Sequence, residues 1–229
     1  MQYRRYAIYY VPVATELAQF GAQWLGWDIN AGRAARLMQQ PAFDHVALTD
    51  RPRKYGFHAT LMAPFILADG VTYAQLERRV IDVAACHSGF GLTLDLGQLG
   101  RFFALVPQPV SPQMERLAAD LVTDLDNLRC PLTAAELQRR RKAWLTDVQD
   151  QLLQRWGYPY VFEEFRLHMT LTGSVPKSLN DHVAQDLTLR LASVLARPQR
   201  VSQITIVGED ADGWFHSLSH IPLTGRPTL

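Results

Sequence analysis

Cysteine is scarce in this sequence: Cys86 and Cys130 are the only two in 229 residues. Two cysteines cannot build a disulfide framework, and without a CxxC pair zinc ribbons and thioredoxin-type chemistry are excluded. A surplus of one charge is also lacking, with 23 Lys and Arg against 22 Asp and Glu and a net charge of +1. A protein devoted to non-specific nucleic-acid binding usually shows a strong basic excess, so that class is disfavoured. A small phosphorylated ligand needs only a local cluster of donors, and remains open. No run approaches 18 uncharged apolar residues, and Met1 to Tyr10 lacks a signal-peptide core, so the expected compartment is the cytoplasm, with no membrane span. Gly89 and Gly91 are not a dinucleotide fingerprint, because no strand–GxGxxG–helix unit surrounds them.

What is present is an ordinary globular composition, 48% hydrophobic, long enough to bury a sizeable core. Tyr6 to Val13 reads as a strand, and Thr15 caps a helical pattern through Leu17, Phe20, Trp24 and Leu25. Gly26 to Arg53 is mixed and turn-rich. Thr72 to Ala85 is helical, Phe90–Leu99 and Phe102–Val106 form a hairpin across Gly100 and Arg101, and Ser111 and Pro112 open an amphipathic helix to Leu125. Thr133 to Trp156 reads as one long helix carrying Arg139-Arg140-Arg141-Lys142. Phe165 to Gly173 reads as a strand, Leu179 to Leu195 as a helix, and Val201–Val207 with Trp214–Leu223 as a final strand pair. Interleaved strands, helices and hairpins predict an α+β fold and not a doubly wound parallel sheet. No Gly/Ser-rich linker divides the chain, so 1–229 is expected to be a single domain, with 131–160 as a helical insertion.

The informative feature is a repeat. Aligning His58 with His168 pairs Tyr55 with Phe165, Phe57 with Leu167, Thr60 with Thr170 and Leu61 with Leu171. Seven histidines and about 14 threonines give roughly 0.4 His-x-Thr triplets by chance, so one would mean nothing. Two of them, 110 residues apart with matching apolar flanks, are informative. On a strand, residues i and i+2 share a face, so each His projects beside its Thr. If the two halves pack about a pseudo-twofold axis, both pairs converge on one cleft. Two imidazoles there suit general acid–base work near neutral pH, and two hydroxyls suit the oxygens of a phosphate. Such a site calls for no metal and no cofactor.

These strands resemble the signature of the 2H phosphoesterase superfamily, which includes cyclic phosphodiesterases and the 2'-5' RNA ligase group. Arg5-Tyr6-Ala7-Ile8-Tyr9-Tyr10, Trp24-Leu25-Gly26, Lys54-Tyr55-Gly56-Phe57-His58-Ala59-Thr60-Leu61 and Leu99 to Pro107 are similar to its branch associated with phosphonate metabolism. The resemblance implies a bilobal fold, each lobe contributing one His-x-Thr strand (55–65 and 165–174). It implies hydrolysis of a cyclic or linear phosphodiester, with a cyclic phosphate of a phosphorylated ribose as the substrate of this branch. His58 and His168 would then be catalytic, and Thr60 and Thr170 would bind the phosphate. The branch often carries a basic residue two places after the first Thr, where this chain has Met62; Lys54 and Tyr55 are the candidates to bind substrate in its stead. RNA-end processing, and a non-catalytic phosphate-binding module, are the alternatives, with RNA the less favoured partner.

Other features have plainer readings. His216 and His220 alternate on a strand, too far apart for a simple chelate. The basic run from Arg139 reads as a solvated helix face balanced by Asp147 and Asp150, with a substrate-attracting lid as the alternative. Asp210 and Asp212 read as hairpin-turn residues. Cys86 beside His87 offers no nucleophile–base geometry.

Overall fold

The computed structural model describes residues 3–38, 43–141 and 144–226. In chain order its elements are β1 (Arg5–Tyr10), α1 (Glu16–Leu25), β2 (Trp27–Asp28), β3 (Arg33–Ala34), α2 (His45–Arg53), β4 (Ala59–Phe65), α3 (Tyr73–Ala84), β5 (Phe90–Leu92), β6 (Leu94–Leu99), β7 (Phe102–Pro107) and α4 (Pro112–Asp124). Then follow α5 (Ala134–Arg140), α6 (Asp147–Trp156), β8 (Met169–Thr170), α7 (Asn180–Leu191), β9 (Gln199–Val201), β10 (Gln203–Glu209) and β11 (Phe215–Pro222). Seven strands form one sheet in the order β11-β10-β1-β4-β8-β7-β6, with antiparallel neighbours throughout, so the fold is α+β. β4 and β8, which carry Thr60 and Thr170 of the two His-x-Thr motifs, lie side by side at its centre.

The helices start and stop where side chains satisfy their free backbone groups. Thr15 Oγ1 accepts from the N–H of Ala18, and Gly26 ends α1 at φ 76°, a conformation that costs glycine little. Thr72 and Gln75 form a capping box for α3, and Ser111 with Pro112 opens α4. The apolar faces of α1, α3, α4 and α7 pack on one side of the sheet in the main core, around Ile8, Tyr10, Leu61, Met169 and Leu171. Ala7, Tyr9 and Val11 alternate to the opposite side, where Trp27, Ile29, Val207 and Phe215 make a smaller cluster. These four helices thus cover one face, while α5 borders the other, which stays partly open.

Several expectations shift. Within 165–173 only Met169 and Thr170 pair as a strand: a 3₁₀ turn at Phe162–Glu164 precedes it, and after it the N–H groups of Leu171 and Thr172 both turn to the Phe103 carbonyl. The long helix over 133–156 is two helices: Arg141 leaves the helical conformation at ψ 125°, and Thr146 caps a fresh start with Gln149. Phe90–Leu99 divides between β5, paired with β9, and β6, paired with β7. The turn-rich segment before 53 hides α2, whose internal Pro52 obscures its pattern.

Candidate active site

The central pairing of Ala59 with Met169 sets the geometry. In an antiparallel ladder it places His58 beside Thr170 and Thr60 beside His168, all four on one face. Ala59 and Met169 point the other way and are fully buried, anchoring both strands in the core. His58 and His168 are diagonal neighbours, a relation that puts side chains about 7–8 Å apart at their roots. That gap suits a tetrahedral group held between two rings.

Both imidazoles are oriented in the same way. His58 Nδ1 lies 2.9 Å from the Gly56 carbonyl oxygen and His168 Nδ1 lies 2.8 Å from that of Arg166. A carbonyl only accepts, so each Nδ1 carries a proton and donates it, leaving Nε2 as the working nitrogen. The Thr60 hydroxyl, 3.1 Å away, donates to the Nε2 of His58. Tyr9, opposite Thr60 in the ladder, stacks on the His58 ring with centroids 3.7 Å apart and planes 19° apart. Burial under this cover pushes the His58 pKa down to about 4; repulsion from His168 adds to it, and the Gly56 carbonyl opposes it. An edge of His58 nonetheless reaches solvent, as does His168. Phe102 flanks His168, with centroids 5.8 Å apart.

Two cavities meet at His58. One, of about 380 Å³, is lined by Tyr55, Arg101, Phe102 and Thr170. The other, of about 520 Å³, is lined by Thr60, Arg5, Tyr9, Tyr55, Arg139, Arg140 and Tyr158. Tyr55 thus borders both, its ring stacked on Phe215. Lys54 does not join it: its ammonium lies 3.4 Å from the Asp212 carbonyl and over the Trp214 ring, away from both cavities. The position two after Thr60 is closed to substrate for a backbone reason. A bulge in the pairing of β1 with β4 sets Met62 opposite Ile8, on the helix side, where it is buried in the main core.

The basic run divides. Arg141 pairs with Asp150 through contacts of 2.6 and 2.8 Å, the solvated pairing anticipated for the whole run. Arg139 and Arg140 line the cavity instead, and Lys142 lies outside the described residues. Arg5 also lines it but is held by Glu209, with one contact at 2.7 Å. Tyr9 and Arg5 belong to the Arg5–Tyr10 stretch, yet nothing in its alternation says which face borders the site. His216 binds Asp210 at 2.7 Å and His220 lies 3.1 Å from the Thr205 hydroxyl, so the two act separately. Asp210 also accepts from the N–H groups of Asp212 and Trp214, the turn role expected of it. Among the described residues, no group of three or more His, Cys, Asp or Glu is placed to hold a metal ion, and no helix is long and apolar enough to cross a membrane.

Over 97% of its length the chain is 36% identical to a protein of Janthinobacterium sp. (strain Marseille) named ribose 1,5-bisphosphate phosphokinase PhnN. A protein of the same name from Laribacter hongkongensis is 38% identical over 75% of the chain. The chain spans 51% and 40% of these relatives. A crystal structure described as a phosphoesterase aligns over 97% of this chain and 99% of its own, with 18% identity and a TM-score of 0.45. The model of a family described as "Protein of unknown function (DUF1045)" matches residues 60–216, a span holding Thr60, His168 and Thr170. That span is more than half of the sequence, and the chain therefore belongs to this family.

Proposed function

We propose that the chain is a phosphodiesterase that opens a small cyclic phosphate of a sugar by two-histidine acid–base catalysis. The observation that carries the reading is the central strand pairing, which brings two His-x-Thr motifs together with both Nε2 atoms free of the backbone. In this reading the phosphate sits between the rings, with Thr60 and Thr170 donating hydrogen bonds to its non-bridging oxygens. Thr60 then turns its hydroxyl from His58 to the phosphate.

His58 is the base. Its lowered pKa keeps it neutral at pH 7, so its Nε2 can take a proton from water as the water oxygen bonds to phosphorus. His168, as imidazolium, gives its Nε2 proton to the departing sugar oxygen while Nδ1 stays bound to the Arg166 carbonyl. The bond from phosphorus to that oxygen breaks and a phosphomonoester results, with one proton taken up and one given. Ribose is the sugar proposed because the PhnN relatives are named for a ribose bisphosphate, and the same naming suits a place in phosphonate metabolism. Their phosphokinase activity is not carried over, since the chain spans only about half of the longer match.

One observation favours a second reading, cleavage of a nucleoside 2',3'-cyclic phosphate. Tyr55 and Trp144, 40% and 73% exposed, border the larger cavity and could stack on a base. A panel of ribose and nucleoside cyclic phosphates, assayed with wild type, His58→Ala and His168→Ala, tests both. Each variant is expected to lose about 100-fold or more in turnover of the preferred substrate. Near-wild-type turnover in both variants overturns the mechanism, and preference for the nucleoside compounds overturns the sugar reading.

A further inference from the structure

The two His-x-Thr motifs match each other, but their outer neighbours do not. Tyr9 of β1 lies opposite Thr60 of β4, and in the same relation Ala104 of β7 lies opposite Thr170 of β8. Residues directly opposite in an antiparallel pair project to one face, so each motif meets one side chain from its outer strand there. The motif of His58 meets a whole tyrosine ring, and that of His168 meets a methyl group. Phe102, two residues before Ala104 on the same face, approaches His168 only at 5.8 Å and a tilt of 55°.

His58 is thereby held on three sides. The Gly56 carbonyl takes Nδ1, the Thr60 hydroxyl meets Nε2, and Tyr9 lies nearly flat on the ring at 3.7 Å. Tyr9 has little room to give way: β1 is paired along both edges, with Thr205 opposite on the β10 side, and the fully buried Phe215 packs on its ring at 5.9 Å. Burial, above all, raises the Tyr9 hydroxyl well beyond its ordinary range, so Tyr9 stays neutral and adds no titration of its own.

A tyrosine ring on an imidazole acts in two opposing ways. Its electron-rich face attracts an imidazolium, while its bulk excludes the water that would stabilise that charge. The surroundings decide between them. The charged groups on the smaller-cavity side are Arg51 and Arg101. On the larger side they are Arg5, paired with Glu209, and Arg139 and Arg140 beside Glu136. The charge that acts on His58 is that of His168, in the same direction as burial, and burial is the stronger.

We propose that Tyr9 is a positioning residue whose ring, fixed on His58 by the register of β1 with β4, makes that histidine the proton acceptor of the pair. This rests on the phosphodiesterase reading for what the accepted proton does, whereas the state of the imidazole is measurable without turnover.

Tyr9→Ala and Tyr9→Phe separate the ring from its hydroxyl. NMR titration of His58 follows the imidazole directly, and the acid limb of kcat/KM, on the cyclic phosphate turned over best, follows it in catalysis. With alanine both midpoints should rise from about pH 4 to about pH 5 or above, towards the ordinary value of 6.5, and with phenylalanine both should stay near about pH 4. Should alanine prevent folding, Tyr9→Leu keeps apolar bulk without a flat face, and its midpoints should fall between the other two. A loss of stability with both midpoints in place is what a merely structural ring would give, and it overturns the proposal. A fall of the midpoints in Tyr9→Ala does so too, since attraction to the imidazolium would then dominate. An equal rise in Tyr9→Phe also does, because it hands the effect to the hydroxyl. The expected NMR shift in a protein that opens none of the cyclic phosphates keeps the role of Tyr9 and removes the phosphodiesterase reading.

Discussion

The depressed pKa of His58 makes a quantitative prediction about stability. Folding moves this imidazole from its ordinary value of 6.5 to about 4, chiefly through burial. The unfolded chain therefore takes up the proton first as pH falls. The stability belonging to neutral His58 is complete above the ordinary value and erodes down to the native value, below which it changes no further. Each pKa unit is about 1.4 kcal/mol, so the loss reaches about 2 kcal/mol by about pH 5 and about 3 kcal/mol at the acid plateau. Urea unfolding of wild type and His58→Asn, between about pH 7.5 and pH 4.5, isolates it, because asparagine keeps a polar group near the Gly56 carbonyl without titrating. Wild type should lose about 2–3 kcal/mol more than the variant over that window. The same titration should set the acid limb of kcat/KM near pH 4, since that profile reports the free enzyme. Parallel pH profiles for the two proteins, or an NMR titration midpoint for His58 above about 6, would refute the reasoning.

Two further tests probe how the core holds the site. Gly21 of α1 packs directly on the Phe57 ring, and a methyl there would collide with it, so Gly21→Ala should cost about 1–3 kcal/mol in urea unfolding and weaken activity by displacing the neighbour of His58. Trp24 donates its indole N–H to the Leu171 carbonyl at 2.8 Å, just past Thr170; Trp24→Phe leaves that buried oxygen unpaired and should lower stability by about 1–3 kcal/mol.

The repeat and the alternation within it were legible because they are local: His-x-Thr on an extended chain puts both side chains on one face whatever surrounds it. The caps at Thr15 and Ser111 were legible for the same reason, each acting within three residues. The break after Arg140 was not, since the pattern of 133–156 is helical on both sides and only the cap at Thr146 betrays the restart. Lys54 looked like a phosphate ligand by proximity in sequence, but the hairpin of β10 and β11 draws its ammonium towards Asp212.

By itself the sequence determined the α+β class, the paired motifs and the four side chains that share a face, because these follow from backbone periodicity. Only the tertiary structure decided which surfaces meet them. The pairing of Ala59 with Met169 sets the two histidines diagonally, burial depresses the pKa of one of them, and the bulge between Ile8 and Tyr9 turns Met62 into the core. The break at Arg141 brings Arg139 and Arg140 to the cavity while Arg141 turns to Asp150. Strand register, bulges and the packing of distant segments are long-range choices, settled by what the whole chain can bury together, and no short window of residues contains them.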